Sequence, residues 1–70
     1  MTDRPQIEKG DTVGVMIGGR TYEGTVLRIT EKDGWKCYHL DGGVLAYNGQ
    51  IVSIIRSGRV LWTQYGGQVA

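Results

Sequence analysis

Between Val13 and Ile29 the hydrophobic rhythm of the chain changes once, and the remaining segments can be placed against that change. Val13, Val15 and Ile17 alternate with Gly14 and Met16, the period of two expected of a half-buried strand. Gly18-Gly19 supplies the positive φ of a tight hairpin turn. On the return limb Tyr22, Gly24 and Val26 share one face, whereas Leu27 and Ile29 fall on the other, so the apolar phase flips around Gly24 to Val26. A glycine inside a strand marks a bulge or corner. The pattern therefore predicts one long bent strand that serves two faces of a small barrel.

The other segments follow in order. Residues 1–10 are mostly polar, and Pro5 keeps Arg4 out of helical geometry, which predicts a flexible N-terminal arm. Thr30-Glu31-Lys32-Asp33-Gly34 reads as a charged turn ending in a glycine suited to the left-handed region. Trp35 to Leu40 is a third strand with Trp35, Cys37 and His39 on one side and Lys36, Tyr38 and Leu40 on the other. Asp41-Gly42-Gly43 is a short turn. Val44 to Tyr47 and Gln50 to Arg56 flank Asn48-Gly49, a strong signal for a type I′ hairpin. In the second of these strands Ile51, Val52, Ile54 and Ile55 put apolar groups on both faces, which calls for cover on two sides. Ser57-Gly58 turns into a last strand, Arg59 to Tyr65, with Val60 and Trp62 opposite Leu61, Thr63 and Tyr65. Residues 66–70 read as a frayed tail. The expectation is an all-β, strongly bent SH3-like barrel of five or six antiparallel strands over residues 11–65, with no N-terminal helix.

Composition narrows the options. A chain of 70 residues buries only about 60% of the surface that its unfolded form exposes, so its core is small. Cys37 is the only cysteine, which leaves no internal disulfide and too few thiols for a zinc site; self-association is the remaining support. The 12 glycines and single proline favour short strands and tight turns. A net charge of +1 is no basic field for nonspecific nucleic-acid binding, so any such site must be local. No apolar run spans a bilayer and no secretory signal is evident; a soluble, cytoplasmic protein is expected. His39 has no metal-ligand partner at suitable spacing and no nucleophile beside it. No cofactor, small-molecule substrate or catalysis is indicated.

The stretch Gly19-Arg20-Thr21-Tyr22-Glu23-Gly24-Thr25-Val26-Leu27-Arg28-Ile29 resembles the first signature of the Sm and Sm-like (LSm) proteins, and Ala46-Tyr47-Asn48-Gly49-Gln50-Ile51-Val52-Ser53-Ile54 is similar to the second. The first alone also resembles Tudor and KOW barrels. The Sm-like resemblance implies a ring of roughly five to seven identical copies, with single-stranded RNA held near the pore. It implies RNA contacts at Thr30, Lys32, Gly34, Lys36, Asn48, Gly49 and Arg56, and a subunit interface at Val44, Tyr47, Ile51, Val52, Ile54 and Ile55. It also places Trp35 and Cys37 in the core. The chain departs from the family at the base pocket: Thr30, Lys32 and Gly34 stand where an aspartate, a stacking residue and an asparagine are usual, and Asn48 stands in place of arginine. Atypical or weak RNA binding is thus one expectation, and a ring-shaped protein scaffold is the other. A resemblance to the small plasmid-borne dihydrofolate reductases fails at Leu45-Ala46-Tyr47, which lacks their glutamine.

Overall fold

In the computed structural model, which describes residues 4–64 and 67–68, strands β1 (Thr12–Ile17) and β2 (Arg20–Lys32) form the expected hairpin. Gly18 and Gly19 have φ of 58° and 80°, values that suit glycine. The 13 residues of β2 serve two partners: its first half pairs with β1, and its second half pairs with β3 (Trp35–Leu40). The register slips between Val26 and Arg28, which makes Leu27 the extra residue of a bulge. The phase change in the sequence is this bend. At the corner, a Cβ on Gly24 would stand 2.8 Å from Asp41 Oδ1 and 3.2 Å from Leu40 Cβ, so the close approach of the crossing chain requires glycine.

The remaining strands are β4 (Leu45–Tyr47), β5 (Ile51–Arg56), β6 (Arg59–Thr63) and β7 (Gly67–Gln68). All pairs are antiparallel, in the order β4-β3-β2-β1-β5-β6-β7. Two 3-10 turns, Asp41–Gly43 and Asn48–Gln50, complete the described elements. The fold is all-β and bent at β2, consistent with a small SH3-like barrel; the two-residue β7 brings the strand count to seven. Among the described residues no helix is long and apolar enough to cross a membrane.

Ile7, Val13, Val15, Val26, Tyr38, Leu40, Ala46, Ile51 and Ile54 form the core. Ile51 and Ile54 are three positions apart and would face opposite ways in a regular strand. Opposite β1, however, Gly14 pairs with Ser53 and Val15 with Ile51, so Val52 is bulged out and both isoleucines turn inward. The apolar residues on two faces of β5 are thereby explained within one chain. As a correction to the expected interface, Ile51 and Ile54 are core side chains and Val52 is buried with them. Val44 and Ile55 are half-buried, and Tyr47 is exposed.

Four further expectations are corrected. The Thr30–Gly34 turn shrinks to Asp33-Gly34, with φ of 54° and 82°, because β2 runs through Lys32. Trp35 and Cys37 lie outside the core, whereas Tyr38 and Leu40 are inside it. Asn48-Gly49 is no type I′ hairpin: β4 and β5 do not pair, and a 3-10 turn carries the chain from β3's side of the sheet to β1's. Residues 4–10 are docked, with Ile7 in the core and the Gly10 N–H donating to Val26 O at 2.9 Å. Residues 1–3 of the expected arm, Tyr65, and residues 66, 69 and 70 of the expected tail lie outside the described residues, while Gly67 and Gln68 pair with β6.

Candidate nucleic-acid interface

Once β2 has turned away from β1, its second half forms a three-stranded layer with β3 and β4, one face of which packs on the core. Alternation along β3 sends Tyr38 and Leu40 inward and Trp35, Cys37 and His39 outward. Cross-strand register sets Lys32 beside Trp35, Thr30 beside Cys37 and Arg28 beside His39. On the other flank Tyr47 lies beside Cys37 and Leu45 beside His39. The result is an outward groove of about 470 Å³ lined by Thr30, Lys32, Asp33, Trp35, Cys37, His39 and Tyr47.

Its most unusual property is aromatic exposure. Trp35 is 67% exposed and Tyr47 53% exposed. They are diagonal neighbours, since Tyr47 pairs with Cys37 two positions beyond Trp35, a spacing of roughly 7–8 Å across a sheet. Two ring faces at that spacing are stacking surfaces for planar ligands. Thr30 Oγ1 and His39 Nε2 are 2.9 Å apart, and this bond ties the floor of the groove across two strands. Lys32 lies beside Trp35 and Arg28 beside His39, farther along the strand; both are exposed, and neither joins an ion pair among the described residues.

The expected RNA contacts divide into three groups. Thr30 and Lys32 lie in this groove. Gly34, Lys36 and Asn48 line a second groove, of about 380 Å³, on the other side of the β2–β3 hairpin tip, and Gly49 is exposed in the neighbouring 3-10 turn. Arg56 belongs to neither. Its Nε and Nη2 donate to Asp11 Oδ1 and Oδ2 at 2.9 and 3.0 Å, and Nη2 also donates to Gln6 O at 2.9 Å. Glu8 Oε2 lies 3.6 Å from Nη1. Arg56 thus clamps the N-terminal segment and stands apart from the other expected RNA contacts.

Asp11, the acid of that clamp, is 2% exposed and also accepts the Glu8 N–H at 2.8 Å. The Arg56 hydrogen bonds hold its carboxyl below the usual aspartate range, against the opposing effect of burial. Asp41 has a similar bridging part, accepting the Thr25 N–H at 3.0 Å. Sequence patterning does not single out Asp11, because its partner is 45 residues away. The resemblance implies a subunit contact for Tyr47, and its place beside Cys37 becomes evident only from the β3–β4 register.

The edges of the sheet bear on assembly. β5 has β1 on one side and β6 on the other, so both of its edges are paired within the chain. At the β4 edge, the Tyr47 N–H donates to Gln50 Oε1 at 2.9 Å, which caps one of the groups a neighbouring strand would use. Among the described residues no three His, Cys, Asp or Glu side chains gather as a metal site. Comparison of the chain with protein-family models, with characterised proteins and with solved structures gives no match, and the Sm-like likeness is carried by the two short stretches alone.

Proposed function

We propose that the chain is a binding module for single-stranded nucleic acid, RNA being the class implied by its Sm-like resemblance, and that the strand lies across the outer face of β2, β3 and β4. The observation that carries this reading is the exposed pair Trp35 and Tyr47, set diagonally on a sheet with Lys32 and Arg28 alongside. Stacked bases and phosphate-seeking cations are what single strands require of a protein, and a net charge of +1 makes a local site of this kind necessary. Base discrimination is expected to be weak, because stacking on the two rings is open to every base and Asp33 is the one carboxylate on the groove lining. A cytoplasmic setting belongs to the same proposal.

The ring enters as a separate proposal, of which binding is independent. Identical copies meeting through the apolar part of this face, where Leu45 and Tyr47 are more than half exposed, would form a protein-interaction scaffold instead. Fluorescence anisotropy with labelled oligouridine separates the two. Wild type binds, and Trp35→Ala and Tyr47→Ala each weaken binding by about tenfold, the equivalent of one lost stacking interaction of 1–3 kcal/mol. Absence of binding at low salt, with concentration-dependent association of the same surface, would favour the scaffold.

A further inference from the structure

We infer that the groove on the other side of the β2–β3 tip is a phosphate-holding extension of the same site, so that a bound strand turns around the tip with Trp35 as the shared wall. This inference rests on the function proposed above. Trp35 lines both grooves. The second groove is bounded by the docked segment at Arg4 to Ile7 on one side and by Lys36, Tyr38 and Asn48 on the other.

Two cations reach it that join no ion pair among the described residues. The Arg4 guanidinium donates to Asn48 O at 2.9 Å and to Asn48 Oδ1, and lies 5.6 Å from the centre of the Trp62 ring; it meets no carboxylate among the described residues. Lys36 is half-buried and joins no ion pair there either. Glu31, opposite Lys36 in the register, is the one acid on the lining, so two cations face one anion. Asn48 Oδ1 also accepts from Tyr38 Oη at 3.3 Å, which commits the oxygen and leaves the amide NH2 as a donor. Fixed donors and uncompensated positive charge in a groove that apolar Pro5 and Ile7 help to wall favour a phosphate group.

The geometry also assigns a length dependence. A dinucleotide occupies the outer groove alone, whereas a longer strand gains the second groove and its charge.

The test compares Lys36→Ala and Tyr47→Ala against a uridine dinucleotide and a longer oligouridine over a salt series. Lys36→Ala is expected to leave the dinucleotide unchanged, to weaken the longer strand several-fold and to lower its slope of log affinity against log salt by about 0.7, one phosphate contact. Tyr47→Ala is expected to weaken both ligands. If Lys36→Ala weakens neither ligand while Tyr47→Ala weakens both, the extension is wrong and the outer site stands. If Lys36→Ala weakens both equally, the two grooves are not successive along the strand and the inference fails. If Tyr47→Ala changes neither ligand, the proposed outer site fails first, and the inference falls with it.

Discussion

Asp11 is the one buried acidic side chain among the described residues, and it joins the N-terminal segment to the far end of β5 through Arg56. Replacing it by Ala takes the acceptor from the Glu8 N–H and the carboxylate from the Arg56 guanidinium, so the N-terminal segment loses its tie to β5 and the chain loses stability. Chemical denaturation is expected to show that loss. The sign of the pH dependence follows from the lowered carboxyl value: the contribution is complete above the unfolded value of about 3.8 and disappears as pH falls below it through the folded value. Asp11→Asn should therefore be less stable than wild type at neutral pH, with the difference narrowing on acidification; a difference that grows in acid would contradict the assignment. Gly24 makes a second residue-scale case. A methyl group there meets Leu40 Cβ at 3.2 Å, an atom fixed by its own strand, as well as Asp41 Oδ1 at 2.8 Å. Gly24→Ala is expected to destabilise by about 1–3 kcal/mol through overpacking, a shift readable as a lower melting temperature.

At the scale of elements, bulges decide which surface is available. The slip at Val52 turns Ile51 and Ile54 inward, and a second slip between Ile54 and Ile55 leaves Leu61 as the extra residue of β6, half-buried against the core beside Trp62. Ile54 is 0% exposed, so Ile54→Asp is expected to unfold the chain in any state of assembly. Circular dichroism checks this: a folded but dissociated Ile54→Asp protein would restore the isoleucine to a subunit interface. The β1–β2 hairpin and its bend are legible in the sequence because alternation, the Gly18-Gly19 turn and Gly24 all act locally. The exposed face of β3 is less so. Large groups occupy both sides of Trp35–Leu40, and the bend of β2 determines which side meets the core. Asn48-Gly49 misleads for a related reason: the dipeptide favours a tight hairpin, yet β5 is drawn away to pair with β1. Arg56 reads as a free cation until the chain brings Asp11 to it.

For the molecule as a whole, the Cα radius of gyration is 11.4 Å, close to the value of about 11 Å expected of a compact chain of this length. The core forms within one copy, and the most exposed aromatic side chains among the described residues, Trp35 and Tyr47, lie on the β2–β3–β4 layer. If, as proposed, this surface holds a single strand through stacking plus a few cations, affinity for oligouridine should fall with salt, and charge reversal of Lys32 should weaken all base sequences alike. Loss confined to one base sequence would reveal a base pocket instead. Amide and indole chemical-shift mapping of the intact chain titrated with oligouridine tests the central claim most directly. The account predicts that shifts concentrate at Thr30, Lys32, Trp35, Cys37, His39 and Tyr47, with the Trp35 indole N–H among the largest; shifts centred on β5 and β6, or none at low salt, would contradict it.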